Sequence, residues 1–263
     1  MSGIEVHRSN DVLTLSFDRA SKKNAITDAM YGILADQIAG AEDDPGTRVI
    51  LLRAEGDTFT AGNDLADFRQ TGAQGAGSSV TNAEPSEKNV GRFLHALATA
   101  TKPIVAAVQG KAVGVGATLL LHCDYVVLAE GAALLTPFIG LGLVPEAASS
   151  LLLPARIGHV RAFSMFALGE PVSADDALQW GLANRVVPIA DLDTVANEVA
   201  AKLAAQPTGS VVATKRLMRS PGAIQERIDE ESVLFYERLR SAEAQEAFAA
   251  FAERRRPDFT QFR

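Results

Sequence analysis

Ile104-Val105-Ala106-Ala107-Val108-Gln109-Gly110-Lys111-Ala112-Val113-Gly114-Val115-Gly116-Ala117 is the stretch on which the reading of this chain turns. Its first five residues are apolar and bounded by turn residues, the pattern of a short strand buried on both faces. From Gln109 onward the chain makes a glycine-containing turn, and the apolar run Thr118 to Leu121 then reads as a helix. Val49 to Arg53 and Tyr125 to Ala129 are further short apolar strands, and helical patterns separate all three, so the fold class is α/β. Toward the N-terminus, Val12 to Phe17 alternates apolar and polar residues, and Ile4 to His7 is its candidate hairpin partner. Thr27 is placed to cap a helix running to about Ala41, which Asp44-Pro45-Gly46 ends. Beyond Pro145 strands become scarce, and Ala155 to Leu168, Ala174 to Trp180, Leu192 to Ala205 and Ala223 to Arg254 read as helices. The last carries an apolar stripe of Ile224, Ile228, Leu234 or Phe235, Leu239, Phe248 and Phe251, suited to packing on its own domain or on a neighbouring subunit. Gln70 to Pro85, poor in large aliphatic residues, reads equally as a surface loop and as a lid over a site.

Composition narrows the chemistry. The 263 residues permit one large domain or two modest ones, and 32 acidic against 25 basic residues give a net charge of −7 without a basic stripe, so no nucleic-acid partner is expected. Cys123 is the single cysteine, which excludes an internal disulfide or a cysteine zinc cluster and suits a reducing compartment. Apolar runs stop well short of the ~20 residues that span a bilayer. No membrane segment is expected, neither Met1 to Asn10 nor Gln261-Phe262-Arg263 reads as a targeting signal, and a cytoplasmic location follows. The four histidines (His7, His95, His122, His159) form no HxxxH pair, so no metal site is expected. Gly114-Val115-Gly116 lacks the third glycine of a dinucleotide fingerprint, Gly110-Lys111 lacks the upstream glycine of a P-loop, and there is no G-x-S-x-G elbow.

Two strand-to-helix turns remain. Phe59-Thr60-Ala61-Gly62-Asn63-Asp64-Leu65 follows the strand at Val49, with Asp64 a candidate N-cap, and Gln109 to Ala117 follows the strand at Ile104. Glycine lets backbone approach a ligand closely, and N–H groups point outward at a helix start. Two such groups converging would form an oxyanion hole, although tight packing alone explains most glycines of this kind.

At these residues the sequence resembles the crotonase family, the enoyl-CoA hydratase/isomerase superfamily, from about residue 8 to the C-terminus. The landmarks are Phe17-Asp18-Arg19 with Asn24-Ala25-Ile26, then Phe59 to Leu65, Gln109 to Asp124, Thr136 to Pro145, and Leu178-Gln179-Trp180-Gly181-Leu182-Ala183. The resemblance implies a spiral core of ββα units over residues 1–200 and a helical C-terminal region, 201–263, that builds trimers or dimers of trimers. It also implies an acyl-CoA thioester as substrate, with coenzyme A entering as part of it and no separate cofactor. The thioester oxygen would be held by the backbone N–H groups of Asn63 and Val115. Asn24, Ala25, Ala61, Gly62, Asp64, Leu65, Gly114, Thr118 and Phe138 would adjoin the substrate.

Departures from the family pattern point to the reaction. Hydratases of this family use two glutamates, and the matching positions here hold Thr118 and Phe138, neither of which takes a proton from water at neutral pH. A different carboxylate, Glu146 in Gly140-Leu141-Gly142-Leu143-Val144-Pro145-Glu146, matches the single catalytic glutamate of the peroxisomal-type Δ3,Δ2-enoyl-CoA isomerases. Read without the resemblance, Glu146 is an acid favoured at a helix N-terminus. Phe138, Leu143 and Val144 are expected to desolvate it. Three functions follow: an isomerase using Glu146 as base, a hydratase or another crotonase reaction, and an acyl-CoA-binding protein without turnover.

Overall fold

The chain opens as a hairpin. Strand β1 (Ile4–Ser9) pairs antiparallel with β2 (Val12–Phe17) across Asn10-Asp11, both in the left-handed region that a two-residue hairpin loop needs. In this computed structural model, which describes residues 2–64 and 88–262, β2 continues into a parallel sheet with β3 (Val49–Ala54) and β4 (Ile104–Val108). Helices α1 (Asp28–Asp43) and α2 (Asn89–Thr99) pack on each other. Thr27 caps α1 as expected, its side chain accepting the Met30 N–H.

Adding β6 (Tyr125–Ala129) and β9 (Arg185–Val187) completes six strands in the order β1-β2-β3-β4-β6-β9. A second sheet holds β5 (Lys111–Val113), β7 (Ala133–Leu135) and β8 (Val172–Ser173) in the order β5-β7-β8. The chain therefore lays β4 in the large sheet, β5 in the small one, and then turns into α3 (Val115–Thr118). It repeats the move with β6, β7 and the short helical turn Ile139–Leu141 leading to α4 (Ser149–Ile157). These repeated strand-strand-helix turns are the spiral that the resemblance implied.

Side-chain alternation explains why the sheet's strands read as continuous apolar runs. Ile50, Leu52, Ile104 and Ala106 face the main core, while Val49, Leu51, Val105 and Ala107 face α7 (Leu192–Ala204) through Leu192, Ala196, Val199 and Ala200. In chain order α5 (His159–Phe163) and α6 (Ala174–Gln179) come between α4 and α7, and after α7 come α8 (Thr208–Met218), α9 (Pro221–Leu239) and α10 (Ala242–Ala252). Ile224 and Ile228 of α9 enter the main core, and Phe235, Leu239 and Ala244 close over Phe138 and Leu143. The helical C-terminus is thus built onto the spiral's core.

Three helix boundaries differ from expectation. The single helix expected from Ala223 to Arg254 is two, because the chain leaves the helix at Arg240 and Ser241 caps α10 by accepting the Ala244 N–H at 3.2 Å. The segment expected as one helix from Ala155 starts earlier, breaks at Gly158 and finishes as a wide π turn over Ser164–Leu168. The helix expected at Thr118 to Leu121 begins at Val115 and tightens into a 3-10 turn over Leu119–His122. Leu65 and the segment Gln70 to Pro85 lie outside the described residues, as does any helix that Asp64 would cap.

Candidate active site

The first glycine turn is built from two strips of chain that are distant in sequence. Ala61 donates its N–H to the Lys23 carbonyl at 2.9 Å, Ile26 donates to Gly62 at 2.8 Å, and Asp64 donates to Ile26 at 2.9 Å. This bridge uses the groups on either side of Asn63 and leaves the Asn63 N–H without a partner among the described residues. The Asn63 side chain is held as well, its Oδ1 accepting the Tyr31 hydroxyl at 2.5 Å.

Asn24, expected at the substrate, has its side chain turned into the scaffold of the turn. It is fully buried with φ +54, its Oδ1 accepting the Arg19 N–H and its amide donating to the Glu55 and Thr58 carbonyls. Its side chain is committed to backbone, so it scaffolds the turn. Asp64 likewise answers to Arg19, whose guanidinium reaches it at 2.6 Å and also donates to the Ala25 carbonyl at 3.0 Å. Ala25 is half-buried and Ala61 exposed beside them.

The second turn is locked against the first. Thr60 donates to the Lys111 carbonyl at 3.2 Å and accepts from Val113 at 3.0 Å. Two glycines make that approach possible. Gly62 has φ +85, and a Cβ there would sit 2.9 Å from the Val113 carbonyl oxygen; a Cβ on Gly116 would sit 2.4 Å from the Thr60 methyl. Gly114, with φ +57, turns the chain into α3, whose first N–H belongs to Val115. That group too has no partner among the described residues, as helix geometry dictates for the first N–H groups of any helix.

Glu146 reaches the same place. Its Oε1 accepts the Thr118 hydroxyl at 2.5 Å, and Thr118 lies one helical turn beyond Val115. Thr118, expected to adjoin the substrate, is therefore the hydrogen-bond partner of the carboxyl. Its Oε2 has no hydrogen bond among the described residues. Nor is Glu146 the first-turn acid of a helix, since α4 starts at Ser149 and the two intervening residues, Ala147 (φ +63) and Ala148 (φ +55), are both left-handed. Alanine pays ~1–2 kcal/mol for each such residue, and strain of this kind persists only where the surrounding structure holds it.

Burial dominates the electrostatics. It pushes the Glu146 carboxyl up to about 8, the negative charge of Glu231 adds to the rise, and the Thr118 hydrogen bond opposes it. Tyr31 is also raised, by burial first and by Glu146 second, which sets its phenol within electrostatic reach of the carboxyl. Phe138, expected at the substrate, packs with Leu143, Phe235, Leu239 and Ala244, its ring 6.3 Å from that of Phe166. It forms a wall shared with the C-terminal helices. No cluster of metal-ligating side chains occurs among the described residues.

Two site residues escaped the sequence reading. Glu231 lies on the buried face of α9 between Ile228 and Phe235, and its Oε1 accepts the Ser150 N–H at 2.8 Å. A carboxylate in register with an apolar stripe was the available signal. His122 is fully buried and held down to about 3, by burial and then by Arg219. Arginine only donates and a carbonyl only accepts, so its tautomer is fixed. Nδ1 accepts from Arg219 at 3.1 Å, and Nε2–H donates to the Ala147 carbonyl at 2.8 Å.

Comparison with known proteins gives one consistent result. The family model described as Enoyl-CoA hydratase/isomerase matches residues 7–262. Among curated proteins, 1,2-epoxyphenylacetyl-CoA isomerase of Escherichia coli K12 is 35% identical over 99% of this chain and 99% of its own. Enoyl-CoA delta isomerase 2 of Rattus norvegicus is 34% identical over 82% of this chain and 54% of the rat protein. Among solved structures, an enoyl-CoA hydratase/isomerase from Pseudoalteromonas atlantica T6c superposes with a TM-score of 0.89 at 41% identity, covering 98% of this chain and all of that one.

Proposed function

The chain belongs to the enoyl-CoA hydratase/isomerase family, and from that premise we propose that it is a Δ3,Δ2-enoyl-CoA isomerase with Glu146 as its single base. One observation carries the reading: a buried carboxyl, lifted toward neutrality, is hydrogen-bonded to Thr118, which lies one helical turn beyond the unpartnered Val115 N–H and stands where a hydratase has its own glutamate.

The reaction follows from these groups. Glu146 takes a proton from C2 of a 3-enoyl thioester, the C2–H electron pair moves into the carbonyl, and a dienolate forms. The developing oxyanion rests between the Asn63 and Val115 N–H groups, each worth roughly 3–4 kcal/mol of barrier. Protonated Glu146 then returns its proton to C4, and the double bond moves from C3–C4 to C2–C3. A carboxylate with a raised pKa serves both steps, because it is base enough for the first and acid enough for the second.

Hydration instead needs a second group to activate water. Glu231, the other acid coupled to Glu146, accepts the Ser150 N–H at the start of α4 through Oε1, and its Oε2 is buried without a hydrogen-bond partner among the described residues. Leu217, Met218, Val160, Phe163 and Phe251 are exposed apolar side chains on the C-terminal half, which supports assembly into a homotrimer or a dimer of trimers. No cofactor is required beyond the coenzyme A of the substrate. No described helix is long and apolar enough to cross a membrane, and the single cysteine favours the cytoplasm.

The test is Glu146→Gln, which should bind an unreactive acyl-CoA with unchanged affinity and lose isomerisation. Turnover close to wild type would remove Glu146 from the mechanism.

A further inference from the structure

We propose that His122 and Glu231 are positioning residues for Glu146, clamping the turn that follows it from two sides so that the carboxyl is aimed at the substrate's C2. The inference rests on Glu146 being the base.

Alanine gains nothing by occupying the left-handed region, so Ala147 and Ala148 must be held there by their partners. His122 holds the first through its carbonyl, at 2.8 Å, and is itself fixed by Arg219, which donates both to Nδ1 and to the His122 carbonyl. Glu231 holds the far side through the Ser150 N–H, which its Oε1 accepts at 2.8 Å. Both clamps are tied to the C-terminal part of the chain. Arg219 follows α8, and Glu231 sits mid-way along α9 among side chains that anchor in the core. Thr118 from α3 is hydrogen-bonded to Glu146, Tyr31 from α1 and Glu231 from α9 are the titratable groups coupled to it through charge, and His122 is neutral.

The experiment uses the full-length protein, with assembly checked by gel filtration and circular dichroism. Misplacing a catalytic group by about 1 Å costs ~10²-fold, so His122→Leu and Glu231→Ala should each lower kcat by roughly ten- to a hundredfold with KM changed by less than about threefold. His122→Gln, whose amide N–H reaches the same carbonyl, should recover most of kcat. Glu231→Gln keeps an acceptor for Ser150 but removes the charge. It should keep most of kcat and lower the titration midpoint of Glu146, followed through the 13C carboxyl resonance that disappears in Glu146→Gln.

Equal losses in His122→Leu and His122→Gln, or unchanged kcat in His122→Leu and Glu231→Ala, would overturn the proposal. If His122→Leu fails to assemble, the Glu231 pair decides. Retained turnover in Glu146→Gln would instead defeat the assignment of the base. The clamp would then be judged by the carboxyl titration, which needs no activity, and an unmoved midpoint in both His122→Leu and Glu231→Ala would refute it.

Discussion

Glu146→Gln should stabilise the folded protein at the pH where it abolishes turnover. In the folded chain the carboxyl titrates at about 8 instead of 4.5, because burial penalises its charge. An acid whose folded pKa is raised holds a proton that the unfolded chain has released, so stability is full below about 4.5 and falls as pH rises toward about 8. At ~1.4 kcal/mol per unit, the penalty grows by roughly 3 kcal/mol between pH 5 and pH 7.5. Glutamine carries no such penalty, and its carbonyl can still accept from Thr118. Its extra N–H groups need partners, which costs ~1–2 kcal/mol at every pH.

The variant should therefore be near parity with, or slightly weaker than, the wild type at pH 5, and more stable by ~1–3 kcal/mol at pH 7.5. Urea unfolding at one fixed protein concentration, run at both pH values, measures the difference. A stability difference that does not change with pH would show that Glu146 ionises as an exposed acid does, and the burial argument would fail.

Because the base must be ionised, kcat/KM for a 3-enoyl-CoA should climb about tenfold per pH unit below the Glu146 midpoint of about 8 and level off above it; a flat profile from pH 6 to 8 would contradict this. Thr118→Val removes the hydrogen bond that favours the carboxylate, so the rising limb should move to higher pH, and Thr118→Ser should leave it in place. Val115→Pro should cost ~10²–10³ in rate while Val115→Ala stays close to wild type, since only proline deletes the N–H. Val115 opens α3, where proline is sterically accepted, so a folded and fully active Val115→Pro would move the second oxyanion donor elsewhere.

What the sequence reveals here is what local pattern encodes. The β2, β4 and β6 strands and the Thr27 cap depend on neighbours within a few residues. The missed features depend on contacts across long separations. Glu231 meets Ser150 across 81 residues, and Arg219 meets His122 across 97. Asn24 shows the same limit from the other side. Its place in a motif does not reveal that carbonyls 31 and 34 residues away claim its amide. The break between α9 and α10 was legible in principle, as Ser241 with Glu243 in the first turn is an ordinary helix start. The apolar stripe that runs through both helices hid it.

In the proposed mechanism one carboxylate moves a proton between two carbons and no second group activates water. The most direct measurement compares, on the same wild-type preparation and at equal substrate concentration, the initial rate of 3-enoyl-CoA conversion to the conjugated 2-enoyl thioester with the rate of hydration of 2-enoyl-CoA. Isomerisation should dominate by ~10²-fold or more, the contribution expected of a missing general acid–base group. Hydration at a rate equal to or above isomerisation would contradict the account.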